Sequence, residues 1–220
     1  MNYVIANWKM KMSQTDVENW VSDFTERYKP SDVNVVVAPS FINIPYVKEK
    51  LGSLEKVFVG AQDVSADSKG SHTGEVSAFQ LKDYCKYVIV GHSERAEDLA
   101  LVIRKRDVAL EHGLIPVVCF TTPEQAKFFY KEGAILAWED PTNISSGGVY
   151  SEKPLEDIEE NVDRIKESLP RDAVLLYGGS VNKDNIYGLA NLPKLDGVLV
   201  GHSSLDSGHF IKLIETYALS

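Results

Sequence analysis

Glu139, His92 and Lys9 are the residue types that proton transfer beside a carbonyl requires. A carboxylate takes the proton, an imidazole hydrogen-bonds the oxygen, and an ammonium offsets the charge of the developing enediolate. Glu139 directly follows the apolar run Ala134-Ile135-Leu136-Ala137-Trp138, so it leaves a strand-like segment and is placed to be partly desolvated, which strengthens it as a base. His92 precedes Ser93-Glu94-Arg95 and a long helical pattern. Backbone N–H groups at such a start disfavour the imidazolium and leave a neutral ring that can donate. Lys9 follows Asn7-Trp8 off the first apolar run, and Glu94 lies two residues beyond the histidine. Taken singly, each has a plainer part: a solvated loop acid, a helix-capping histidine, a surface ammonium. Their joint placement separates the two readings, and that depends on the elements that carry them.

Short β-branched runs alternate with helical periodicity along the whole chain. Strands are expected at 3–6, 33–38, 57–61, 87–90, 115–119, 134–138, 174–177 and 198–200. Helices are expected at 15–28, 45–51, 76–82, 96–111, 123–131, 155–168, 183–190 and 206–217. Gly113, Gly133 and Pro170 supply stop signals after the fourth, fifth and sixth helices. The strands are continuous apolar runs, as expected when helices cover both faces of a parallel sheet. Strict alternation points to the α/β class and a single (β/α)8 barrel over residues 1–220, with a doubly wound open sheet as the alternative.

Active sites in such a barrel lie where strands end. The polar groups there are Asn7 and Lys9 after the first strand, His92 and Glu94 after the fourth, and Glu139 after the sixth. Gly178-Gly179-Ser180 follows the seventh and Gly201-His202-Ser203 the eighth. The last two small-residue turns can present backbone N–H groups to an anion, at the usual phosphate position of this fold.

Composition narrows the partners. With 44% hydrophobic and 25% charged residues the chain has a globular balance, and a net charge of −9 removes the broad basic field that nucleic-acid binding needs. No apolar run approaches the length of a membrane span and no basic, apolar leader opens the sequence, so a cytoplasmic protein without a membrane partner is expected. Cys85 and Cys119 lack the spacing of a metal site or disulfide framework and are expected to be buried thiols. Asn143-Ile144-Ser145 matches a glycosylation pattern by chance.

In these segments the chain resembles the triosephosphate isomerase family: Asn7-Trp8-Lys9-Met10, the loop from Gly70 to Glu75, Gly91-His92-Ser93-Glu94-Arg95, Trp138-Glu139 with Ile144-Ser145-Ser146-Gly147, Tyr177-Gly178-Gly179-Ser180-Val181, and Asp196-Gly197-Val198-Leu199-Val200-Gly201. The resemblance implies a TIM barrel that interconverts dihydroxyacetone phosphate and glyceraldehyde 3-phosphate without a metal or organic cofactor. Glu139 would move the proton and neutral His92 polarise the oxygens; the family is itself the standard case of this division of labour, so these roles come from the resemblance. Lys9 would add positive charge, Asn7 fix the substrate, and Glu94 steer Lys9. Backbone groups at Ser145, Ser180, Gly201 and His202 would hold the phosphate, and residues 139–149 would form a closing lid. The retained 70–75 loop implies a homo-oligomer, since in the family it inserts into the neighbouring subunit beside the positions of Asn7 and Lys9. The short stretch between Cys119 and Ala134 resembles a compact subgroup associated with tetramers.

Departures from the family pattern concentrate near the site. Asp140 stands where proline usually follows the glutamate, Ser145-Ser146-Gly147 replaces a glycine-threonine-glycine tip, and Lys11 replaces an asparagine. His202 takes the place of a second glycine, and Ala96 that of an arginine. An Asp140 facing the pocket would oppose the ionisation of Glu139, whereas one facing water would be screened. The missing proline also leaves the hinge more backbone freedom, so that closure costs more conformational entropy, and a proline at position 140 is expected to speed turnover or reduce loss of the enediol. The alternatives to an active isomerase are a catalytically impaired phosphate-binding or structural barrel with an altered lid, and a barrel enzyme acting on another sugar phosphate.

Overall fold

The computed structural model describes residues 2–141, 143 and 153–219. Eight parallel strands close on themselves in chain order: β1 (Asn2–Asn7), β2 (Val33–Ala38), β3 (Val57–Ala61), β4 (Tyr87–Val90), β5 (Ile115–Phe120), β6 (Ile135–Trp138), β7 (Val174–Tyr177) and β8 (Gly197–Val200). β8 returns to pair with β1, which removes the open-sheet alternative. Between them run α1 (Gln14–Arg27), α2 (Ile44–Leu51), α3 (Ala78–Leu81), α4 (Leu99–Glu111), α5 (Ala126–Phe129), α6 (Leu155–Glu167), α7 (Ile186–Ala190) and, after β8, α8 (Ser207–Ala218). Among the described residues no helix is long and apolar enough to cross a membrane.

Strand parity sorts the core into two layers. Val4, Ala6 and Trp8 point outward and pack with helix residues such as Trp20, Phe24 and Phe210. Tyr3 and Ile5, Tyr87 and Ile89, Val117 and Cys119, Ile135 and Ala137 point inward and fill the barrel with Leu176 and Leu199. Continuing the inward positions by two residues reaches Asn7, Glu139, Gly178 and Gly201, so the period of two that fills the barrel also aims these positions at its mouth.

Several helix starts fall later than expected, because residues taken as helical are caps. Ser77 accepts from the Gln80 N–H in a capping box, so α3 begins at Ala78. Asp98 accepts from the Leu101 N–H, and Ala96 sits in the left-handed region at φ 49°, so α4 begins at Leu99 rather than 96. α5 is only four residues long, as the short 119–134 stretch implied.

Candidate active site

Asn7, Lys9, His92 and Glu139 line one cavity at the barrel mouth, with Gly178, Gly179 and Gly201 closing its other side. The sequence-expected groups after β1, β4, β6, β7 and β8 therefore meet. The glycines leave room for the polar groups: a Cβ on Gly178 would stand 3.0 Å from Glu139 Cγ, and one on Gly179 would lie 2.3 Å from the Tyr177 hydroxyl.

Glu139 is 2% exposed. Its Oε2 accepts the Ser93 N–H at 2.8 Å, and its Oε1 lies 3.0 Å from His92 Nε2. His92 Nδ1 accepts the Glu94 N–H at 3.3 Å, which an imidazolium could not do, so the hydrogen-bond pattern assigns a neutral ring with its proton on Nε2. The donors come from the short 3-10 turn Ser93–Arg95 that His92 caps, and not from the long helix expected to begin at 96. Cys119, one inward layer below, packs against the carboxylate. Burial and the Glu139 charge push its thiol well above the ordinary value. Both cysteines are free and buried.

Lys9 adopts φ 52°, a left-handed conformation that costs an L-residue roughly 1–2 kcal/mol. Its N–H donates to Asn7 Oδ1 at 3.1 Å. Its carbonyl accepts from Gln62 Nε2 at 2.9 Å and Ser40 Oγ at 3.2 Å. Its ammonium donates to Glu94 Oε1 at 2.7 Å. Burial alone would raise the Glu94 carboxyl, but the Lys9 hydrogen bond and charge outweigh it and hold it below its ordinary value. Gln62 and Ser40 were not anticipated as part of the site. Each lies just past a strand, β3 and β2 respectively, where the same end-of-strand rule applies.

The phosphate side is less direct. Ser180 is buried, and both its N–H and its hydroxyl donate to the Asn143 carbonyl, at 2.9 and 2.8 Å, so an anion would have to displace those bonds to use Ser180. Gly201 lies beside Lys9, whose Cε is 3.4 Å from where a Gly201 Cβ would stand. The His202 side chain is exposed and lines a separate groove with Asn182 and Lys183. Ser145 and most of the 139–149 segment lie outside the described residues. Asn143 is buried and donates to the Tyr177 hydroxyl at 2.7 Å, which suits a structural part and not a glycan acceptor.

Asp140 follows neither of the two courses considered for it. It is 3% exposed and forms an ion pair with Lys153. A carboxylate so placed is neither screened by water nor an unbalanced charge beside the base, so the electrostatic ground for expecting a proline there to help is lost. The other ground, the backbone freedom of a hinge without proline, is untouched by this pairing.

A closed (β/α)8 barrel with a buried carboxylate, a neutral imidazole donor and an ammonium at its C-terminal mouth is the architecture of an aldose–ketose isomerase. A family model described as triosephosphate isomerase matches residues 2–217. Proteins named triosephosphate isomerase from Thermus thermophilus and from Legionella pneumophila strain Lens are each 33% identical to the chain; the alignments cover 96% of this chain, with 96% and 97% of the respective relatives. One from Mycoplasmopsis pulmonis is 30% identical over 98% of both. The chain belongs to the triosephosphate isomerase family.

Proposed function

We propose that the chain interconverts dihydroxyacetone phosphate and D-glyceraldehyde 3-phosphate, acting in glycolysis and gluconeogenesis in the cytoplasm. The observation that carries this reading is the 3.0 Å contact between Glu139 and His92 at the barrel mouth, beside Lys9. Glu139 takes a proton from C1 of the ketose, the C–H electron pair becomes the C1–C2 double bond, and the carbonyl oxygen becomes an enediolate. His92 Nε2–H donates to that oxygen and Lys9 offsets its charge. The O1 hydroxyl proton passes to O2 by way of His92 Nε2, which moves the negative charge to O1. Return of the carbon-bound proton to C2, taken up by the double-bond pair, then leaves C1 as the aldehyde. A substrate carbonyl entering the site takes over the donor that Glu139 Oε1 now accepts from, which frees the carboxylate for C1.

Asn7 anchors the substrate and the N–H of Lys9, and Glu94 orients the Lys9 ammonium. Backbone groups of Gly201, His202, Ser180 and Ser145 receive the phosphate. The active form is a homo-oligomer, a dimer or tetramer, joined through the 70–75 loop. The exposure of residues 68–75 and of Met10, 95% exposed beside Lys9, supports that reading. A coupled assay that consumes dihydroxyacetone phosphate as it forms from glyceraldehyde 3-phosphate tests the activity. Turnover no faster than the uncatalysed reaction would overturn it and favour the impaired phosphate-binding barrel.

A further inference from the structure

The residues on either side of Glu139 are both engaged by one cation. Glu139 and Asp140 are consecutive carboxylates at 2% and 3% exposure, an arrangement that two negative charges resist unless a counter-charge is close. The Lys153 ammonium supplies it by pairing with Asp140, and it also stands 5.6 Å from the centre of the Trp138 ring, within cation–π range. Trp138 is itself fixed: its indole N–H donates to the Thr121 carbonyl at 3.3 Å, and its own carbonyl accepts the Gly178 N–H at 2.7 Å. The Glu139 N–H donates to the Phe120 carbonyl at 2.8 Å. Lys153 thus joins the residue before the base to the residue after it.

We infer that Lys153 is a positioning residue for Glu139, which it serves by neutralising Asp140 and pinning Trp138. The inference rests on Glu139 being the base. With Lys153 in place, the Asp140 charge is spent on the ammonium and the turn after β6 keeps Glu139 aimed at His92. Without it, a buried anion is left next to the base, and the chain relieves the conflict by shifting the turn. A misplacement of that kind acts on the chemical step more than on phosphate binding, so it lowers kcat and leaves KM nearly unchanged.

The test compares wild type, Lys153→Met, Lys153→Arg, Asp140→Asn and Asp140→Asn/Lys153→Met, with thermal unfolding recorded for each. Lys153→Met is expected to lower kcat by about 10- to 100-fold with KM nearly unchanged. Lys153→Arg keeps the cation and is expected to restore most of that loss, and the double variant, which has no charge left to balance, to return to within about threefold of wild type. A Lys153→Met enzyme within about twofold of wild type, or a double variant as slow as Lys153→Met, overturns the inference. If Lys153→Met does not fold, the Asp140→Asn background decides: a double variant that folds and stays within about threefold of Asp140→Asn supports the inference, and one that also fails to fold or is more than about tenfold slower overturns it. Absence of isomerase activity in wild type would instead defeat the functional reading. The coupling of Asp140 with Lys153 in unfolding free energy, read without any substrate, would still report whether the pair forms.

Discussion

Glu139 Oε1 and His92 Nε2 stand 3.0 Å apart, with the Glu94 N–H on the other ring nitrogen. The base and the donor are bound to each other before any substrate arrives, so each holds the other in the geometry that the reaction later divides between carbon and oxygen. Because Ser93 N–H binds one carboxylate oxygen and His92 Nε2–H the other, an amide keeps its oxygen on Ser93 and turns its NH2 toward His92, losing one bond; a bound oxyanion that takes the His92 donor removes that conflict.

Glu139→Gln should therefore fold and bind a phosphorylated carboxylate mimic of the enediolate nearly as wild type does, with turnover reduced by at least ~10²- to 10⁴-fold. Steady-state kinetics beside calorimetric titration of the mimic checks both halves. A variant with near wild-type turnover would remove Glu139 from its assigned part.

Lys9 combines a strained backbone with a charge directed into the site. In Lys9→Gly the left-handed strain of roughly 1–2 kcal/mol is relieved, while glycine's larger unfolded-state entropy takes back about 0.5–1 kcal/mol. Loss of the half-exposed Glu94 pair matters by no more than about 1 kcal/mol. Stability should stay within about 1 kcal/mol of wild type, while turnover falls by about 10²- to 10³-fold with the loss of a donor to the developing oxyanion. Urea midpoints and kcat measured on the same preparation separate the two effects.

The exposed 68–75 segment predicts self-association. Light scattering at micromolar concentration should give a dimer or tetramer, and Thr73→Arg, which places a cation in the loop, should shift the mass toward the monomer with a parallel loss of turnover. A fully active monomer would refute this.

How much was legible beforehand follows from what each element buries. Strands covered on both faces must be continuous apolar runs, so β2, β3, β4 and β7 were read from sequence with the bounds they have in the structure. Helix starts were harder because a cap is polar and locally resembles a first turn: Ser77 and Asp98 lay within or near segments read as helix. Glu139, His92 and Lys9 were legible because they follow strand ends. Gln62 and Ser40 obey the same rule, but hold Lys9 through its carbonyl, a contact for which side-chain type gives no cue. Lys153 was not legible at all, since it lies 13 residues from Asp140 and only the folded chain brings them together.

Behind the His92 turn, Lys105, 4% exposed, donates to Asp63 at 2.7 Å and to Glu97 at 2.6 Å, and Arg95 bonds both acids from the outer side. The two acids move in opposite directions. Burial raises the Asp63 carboxyl and the Lys105 and Arg95 contacts fail to offset it, whereas for Glu97 the bonds from Lys105 and Arg95 overcome burial and hold it below its ordinary 4.5. Glu97, lowered in the fold, contributes stability that is present above 4.5 and is lost as pH falls through its folded value. Asp63, raised in the fold, does the reverse and becomes less adverse as pH falls through its own. Glu94 and Asp107 are lowered as well, so loss on acidification should dominate for the whole protein. Glu97→Gln should lower the urea midpoint at pH 7 and flatten the decline that sets in as pH falls below 4.5, because the group that must be protonated is gone. Asp63→Asn should not flatten that decline, since Asp63 opposes it. Urea titrations of the three proteins at intervals across that decline decide it, and an unchanged slope in Glu97→Gln would show that acid acts on the fold through other carboxylates.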